Sequence, residues 1–367
     1  MLLLLSLACT GDATVELGHD TSSSDSVDSA PADSLSWPGE DWATGTPEGH
    51  GLDAAALDAL QDYVFSDANY SQALAVFKDG VLVYEHYADD AEVETPVTSW
   101  SAAKSVTSAL IGVAIREGHI ELDDPVSEVI TEWAEGPNAA ITIRDMLEMQ
   151  SGLPENTSNA FGVYGAEPDQ LAYALERELV REPGTRFSYV NEDSMVLSAV
   201  VSRVFGEQAH EIAAQEIFAP IGMSADWWVD GEGQTLGYCC LDTTARDFAR
   251  FGLLYARGGA WEGQQIIPAD YLAESTSGQS APAPTSGQLL YGLHWWMDGD
   301  DAFAAIGLNG QYVWIWPDQD LVVVRFGEYN KIGQGTVREG NNYQSTREPG
   351  ALDFGELSAL IRATVTD

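Results

Sequence analysis

Two β-hairpin patterns near opposite ends of the folded region constrain this chain more than any other feature. Residues 73–77 and 81–84 are apolar and β-rich, and they flank Lys78, Asp79 and Gly80. An Asp-Gly pair between such runs reads as a hairpin turn. Residues 312–316 and 321–326 repeat the pattern around Pro317, Asp318, Gln319 and Asp320. Between them the periodicity is helical, with signals over residues 143–150, 172–180, 194–204 and 244–257. Leu52, Ala56, Leu57, Leu60 and Val64 place a helix before the first hairpin, and residues 355–365 read as a closing helix. These patterns predict an α+β fold: an antiparallel sheet built from both termini, flanked by helices, with a helical subdomain of about residues 101–285 inserted.

The segment ahead of this region is of another kind. Residues 1–8 form a short apolar run followed by Cys9, too short to span a bilayer and read as a signal peptide. Cys9 after Ser6, Leu7 and Ala8 resembles a bacterial lipobox, whose cysteine is lipidated. Residues 9–48 are rich in Ser, Asp, Gly, Thr and Pro and poor in large apolar side chains, so they read as a disordered acidic tether. A single folded domain then spans residues 49–367, and the protein is expected to be an exported cell-envelope lipoprotein, touching membrane only through Cys9.

Fifty-eight acidic residues against 16 basic ones give a formal charge of −42. Such a surface repels phosphate backbones and anionic headgroups, so nucleic acid is excluded as a partner. The six histidines are scattered and the three cysteines lack zinc-ligand spacing, so neither a metal nor a cofactor is expected. Cys239 and Cys240 are adjacent, and a disulfide between neighbours strains the intervening peptide, which argues against their pairing.

Only three lysines occur: Lys78, Lys104 and Lys331. Lys104 is the single charge in the small and apolar stretch of residues 100–115. A helix without a polar face is buried, and a buried ammonium needs a partner or a lowered pKa. Residues three apart share a helix face, so Lys104 reaches Ser101. A serine hydroxyl becomes a useful nucleophile when an adjacent base accepts its proton. A desolvated neutral lysine can serve, or a charged one can hold a tyrosine oxygen ionised. The bland alternative is a capping serine and a lysine reaching out to solvent.

Tyr189 and Asn191 follow a turn at Pro183 and Gly184 and project to one side of an extended piece. Beside an ammonium, tyrosine can act as general base and then acid, and Asn191 offers an amide for a substrate carbonyl and for Lys104. Gly307, ahead of the second hairpin, would let a strand approach the nucleophile and donate a backbone N–H to an oxyanion. Taken alone, an ordinary core tyrosine with Asn191 as a helix N-cap, and a simple bend in the strand at Gly307, account for these features. Trp227, Trp228, Trp295, Trp296 and Tyr164 are aromatic candidates for a pocket wall.

The order of these elements carries a resemblance. Ser101 and Lys104, then Tyr189 and Asn191, then a glycine-containing strand near the end resemble the serine β-lactamase and penicillin-binding protein superfamily. The Tyr-x-Asn form is similar to its class C branch. The neighbouring phrases at residues 76–80, 122–126, 141–147 with 151–153, and 245–252 agree, so the resemblance runs from about residue 52 to 363. Within the superfamily the chain is most similar to 6-aminohexanoate-dimer hydrolase-like and family VIII esterase-like members. The resemblance implies Ser101 as nucleophile, Lys104 and Tyr189 as the acid/base pair, Asn191 as a site residue, and the N–H groups of Ser101 and Leu308 as oxyanion donors.

One departure narrows the expected substrate. Class C β-lactamases and D-Ala-D-Ala peptidases carry Lys-Thr-Gly, or His in place of Lys, where this chain has Ala305, Ile306 and Gly307. No cation remains there to pair with a substrate carboxylate. The expected activity is hydrolysis of a small ester or amide through an acyl-enzyme. The alternatives are β-lactamase or D-amino peptidase activity and a catalytically silent surface binding protein. A Ser-His-Asp hydrolase is disfavoured because no Gly-x-Ser-x-Gly occurs.

Overall fold

The computed structural model describes residues 35–366 apart from 68, 90, 156–162, 164–165, 167, 279–288 and 328–351. The signal-like segment, Cys9, most of the expected tether and Tyr164 therefore lie outside the described residues. No helix among those described is long and apolar enough to cross a membrane.

Helix α1 (Ala54–Val64) starts on Asp53, whose carboxylate accepts from the N–H groups of Ala55 and Ala56. Strands β1 (Ser71–Lys78) and β2 (Val81–Tyr87) form the first hairpin, with Asp79 and Gly80 at positive φ in the turn. Strand β3 (Val97–Thr98) leads to α2 (Ala103–Arg116), then α3 (Ile143–Leu147), α4 (Gln170–Leu175), α5 (Asn191–Phe205), α6 (Ala209–Ala213) and α7 (Ala219–Ile221). Strands β4 (Ala225–Trp227) and β5 (Leu241–Thr243) precede α8 (Ala245–Ala256), the small hairpin β6 (Ala260–Trp261) and β7 (Gln264–Gln265), and α9 (Ala269–Ser275). Strands β8 (Trp296–Asp298), β9 (Ala302–Gly307), β10 (Gln311–Trp316) and β11 (Leu321–Gly327) are followed by α10 (Phe354–Ala363).

The main sheet has the order β2-β1-β11-β10-β9-β8, and its neighbours pair antiparallel. The N-terminal hairpin thus joins the C-terminal strands at the β1–β11 seam, where Ala75 faces Val324 and Phe77 faces Val322. Alternation along the strands splits the core in two. Leu74, Val76, Trp314 and Val323 pack on one face against Leu57 and Leu60 of α1 and Leu357 and Ile361 of α10. Ala75, Phe77, Val313, Ile315, Val322 and Val324 face the other way, toward α8 and the inserted helices. Burying each large side chain contributes roughly 1.5–3 kcal/mol, so both faces are needed to hold the sheet. The expected α+β architecture is the one observed.

Two sequence expectations change. Residues 36–48, assigned to the tether, belong to the compact unit Ser36–Asp367. The Trp42 ring lies 4.3 Å from Phe77 and its Nε1 donates to the Arg246 carbonyl at 3.0 Å. Arg250 donates to the carbonyls of Gly39 and Glu40, and the Arg257 guanidinium sits 4.3 Å over the Trp37 ring. This polar strap is held by arginines on its backbone carbonyls, which composition does not display. The helices expected at residues 143–150 and 172–180 are also shorter. The first stops at Leu147, just before Met149 takes φ +57°. The second ends at Leu175, after which the Leu179 N–H donates to Asn138 Oδ1 and the Val180 N–H to the Gly152 carbonyl.

Candidate active site

The site begins at β3, which pairs with β5. The Ser99 N–H donates to the Leu241 carbonyl at 2.8 Å, and the Leu241 N–H donates to Ser99 Oγ at 3.1 Å. Trp100 then takes φ +47°. An aromatic residue in that region costs of order 1–3 kcal/mol and is tolerated where the surroundings fix it. The kink opens a tight turn over Trp100–Ala102 that runs into α2, leaving Ser101 half-buried at its mouth. Lys104, one turn on, is 1% exposed.

Lys104 Nζ makes three contacts: Ser101 Oγ at 3.2 Å, Asn191 Oδ1 at 2.8 Å and the Tyr238 carbonyl at 2.7 Å. Burial lowers its pKa from 10.5 to about 7, against an opposing pull from the carboxylates of Glu192 and Asp193. The amine is therefore neutral in a large fraction of molecules near neutral pH. Two short bonds to acceptors that carry no proton fix two N–H groups of such an amine, and its lone pair then faces Ser101, the longest contact.

Tyr189 arrives on an extended piece pinned to the Met149–Gln150 backbone: the Ser188 N–H donates to the Met149 carbonyl at 2.7 Å and the Gly184 N–H to the Gln150 carbonyl at 2.9 Å. Lys104 Nζ stands 4.8 Å from the Tyr189 ring centroid. Burial pushes the Tyr189 phenol up, and a hydrogen bond with Ser101 only partly offsets that. Protonated tyrosine is the ground state. Val190 is still extended, and Asn191 is the first helical residue of α5 rather than its cap. The Tyr189 ring stacks on Trp296 at 5.9 Å, and Tyr291 meets Trp296 edge-on at 4.6 Å. Trp227, Trp228 and Trp295 are buried. Of the four tryptophans considered, Trp296 is the one on the Tyr189 ring.

The end of β9 closes the far side. A Cβ on Gly307 would lie 2.1 Å from the Ser99 carbonyl oxygen, so only glycine allows this approach. Leu308 follows at the surface, 51% exposed. The Asn309 and Gly310 carbonyls accept from Arg325 Nη1 at 2.7 and 2.8 Å, which braces the turn. Ala305 is buried on the same core face as Phe303, the face turned to the inserted helices. Gln311 uses both ends of its amide on Gly327 and is a strand brace.

Among the described residues no histidine is placed as a base for Ser101. Burial holds the His294 pKa at about 3. Its Nδ1 lies 2.8 Å from the Leu147 carbonyl and its Nε2 2.9 Å from Ser194 Oγ, so the neutral ring donates to the first and accepts from the second. His50, His86, His119 and His210 engage Asp79, Phe65, Phe205 and Thr235.

Two features escaped the sequence. The Tyr238 carbonyl comes from 134 residues beyond Lys104 and has no side-chain signature. Cys239 and Cys240, expected not to pair, form a disulfide immediately after it. Cys240 adopts φ +70°, and this turn of the backbone accommodates the bridge between neighbours.

The chain is similar to known proteins over most of its length. The family described as Beta-lactamase matches residues 58–334. The 6-aminohexanoate-dimer hydrolase of Paenarthrobacter ureafaciens is 23% identical over 285 residues, covering 71% of this chain and 73% of that protein. A D-aminopeptidase of Brucella anthropi is 29% identical over 187 residues, 46% of this chain and 35% of that protein. A solved structure from Bacillus anthracis, provisionally described as a 6-aminohexanoate-dimer hydrolase, superposes with a TM-score of 0.68 at 21% identity over 90% of this chain and 86% of that one.

Proposed function

The chain belongs to the beta-lactamase family, and on that premise we propose that it is a serine hydrolase cleaving an amide or small ester through an acyl-enzyme on Ser101. The observation that carries this is the triple contact of Lys104, which sets its amine against the serine hydroxyl. Lys104 takes the Ser101 proton as the oxygen attacks the substrate carbonyl. The N–H groups of Ser101 and Leu308 hold the oxyanion. Collapse expels the amine or alcohol, which receives its proton from Lys104 through the Tyr189 hydroxyl. Water then attacks the acyl-enzyme along the same route in reverse and releases the acid. The opposite shifts of the two groups favour Lys104 as base and Tyr189 as a protonated relay.

The names of the relatives support amides among the substrates. Ala305 disfavours substrates that need a cation for their carboxylate, as penicillins do. A silent binding protein would have no use for a buried lysine held against a serine. Export as a lipoprotein anchored at Cys9 completes the reading, since a disulfide persists in oxidising compartments. The test is hydrolysis of p-nitrophenyl esters of graded chain length and of linear aminohexanoate dimers. Turnover that is lost in Ser101→Ala supports the proposal; turnover equal in both proteins defeats it.

A further inference from the structure

Residues 237–241 run along α2 and the segment that leads into it, and touch them at successive points. Thr107 Oγ1 donates to the Gly237 carbonyl at 2.6 Å, Lys104 Nζ to the Tyr238 carbonyl at 2.7 Å, and the Ser99 N–H to the Leu241 carbonyl at 2.8 Å. The Cys239–Cys240 disulfide fills the gap between the second contact and the third. The carbonyls of the bridged pair point elsewhere: Trp227 Nε1 donates to Cys239 O at 2.9 Å, and the Trp228 N–H donates to Cys240 O at 3.0 Å. The segment therefore reverses its carbonyl direction twice within four residues. It does so with a left-handed Cys240, a backbone state sparsely populated by side chains other than glycine. A ring closed across one peptide restricts the backbone on both sides of that turn.

We propose that the Cys239–Cys240 disulfide is a positioning element for Lys104, holding the Tyr238 carbonyl as the acceptor that aims the amine at Ser101. This rests on the Ser101 reading above and adds redox dependence to it. With the bridge closed the enzyme is competent; with the bridge open the Tyr238 carbonyl swings, water reaches Nζ and turnover falls. Opening by a dithiol breaks one S–S bond and forms two S–H bonds. The two electrons and two protons come from the reductant, whose thiols close to a disulfide. Both cysteines are buried, 2% and 1% exposed.

The full chain is first unfolded and alkylated before and after reduction. Cys239 and Cys240 should alkylate only after reduction; alkylation of both beforehand overturns the proposal. Next, Cys239→Ser/Cys240→Ser is compared with wild type on one p-nitrophenyl ester. The expected result is a fall in kcat of about 10- to 100-fold, as for a misaligned catalytic group. KM should be nearly unchanged, and the acidic limb of the pH profile should move from about 7 toward the ordinary lysine range. A bridge that is merely structural would alter melting temperature and leave that limb in place, which also overturns the proposal. If the double variant does not fold, wild type is titrated with dithiothreitol, and activity is plotted against the fraction reduced read by mass; full activity at full reduction is the contradicting result. Fluorophosphonate labelling of wild type separates the two claims. Without label on Ser101 the hydrolase reading falls and this proposal with it. With label, and a double variant indistinguishable in kcat and pH profile, only the role of the disulfide falls.

Discussion

Lys104 and Asn191, 87 residues apart in sequence, meet at 2.8 Å between Nζ and Oδ1. With the Tyr238 carbonyl, this contact fixes the direction of the amine. Asn191→Leu removes the acceptor while keeping the volume. The expected outcome is a kcat lower by about 100-fold, the usual effect of a small misplacement at the reacting centre. KM for a p-nitrophenyl ester should change little, because the side chain orients the base more than it binds an uncharged acyl chain. Steady-state kinetics on the purified variant checks this.

The lowered pKa of Lys104 predicts two pH effects. With Lys104 as the proposed base, activity would require the neutral amine, so kcat/KM should rise through a limb near pH 7 and then level off. The stability effect follows from the same shift. The folded value lies below the unfolded 10.5, so between about pH 7 and 10.5 the unfolded chain binds a proton that the folded one does not. The penalty is therefore complete below pH 7, of the order of 5 kcal/mol at about 1.4 kcal/mol per pKa unit, and it fades as pH rises. Lys104→Met has no such group. The stability of wild type relative to this variant should improve from pH 7 to pH 10, measured by denaturant unfolding.

The hairpins and the Ser101–Lys104 contact were legible because their signals are local. Asp79 and Gly80 announce a turn, and Ser101 and Lys104 share a face by helical geometry alone. Tyr189 and Asn191 were legible only in company with them. The Tyr238 carbonyl was not, since any residue supplies one and only the tertiary path decides which. Arg250 and Arg257 likewise capture the strap at residues 36–48 through its main chain. The pairing of Cys239 with Cys240 was not legible, because it goes with a left-handed turn at Cys240 that no sequence pattern announces.

Gly307 gives a test of the approach of β9 to the nucleophile. A methyl group there would collide with the Ser99 carbonyl at 2.1 Å. Gly307→Ala should push the strand end and Leu308 away from Ser101 while leaving the sheet paired. Loss of an oxyanion donor costs on the order of 10²–10³ in kcat. Circular dichroism should remain native while esterase turnover drops; unchanged turnover would remove β9 from the site.

Ala305, where the resemblance expects a cation, carries a prediction about substrate. Nitrocefin should be turned over poorly, with kcat/KM well below the range of roughly 10⁴–10⁸ M⁻¹s⁻¹ occupied by efficient enzymes. Removing the carboxylate from the substrate should help rather than harm. Parallel kinetics with a penicillin and with its methyl ester reads the difference directly.

The central claim is that Ser101 is the nucleophile, armed by Lys104. Intact-protein and peptide mass spectrometry after treatment with a fluorophosphonate tests it most directly. The account predicts one adduct per chain, mapped to Ser101, absent in Ser101→Ala and slowed in Lys104→Met. An adduct on another residue, or equal labelling of the Ser101→Ala protein, would contradict it.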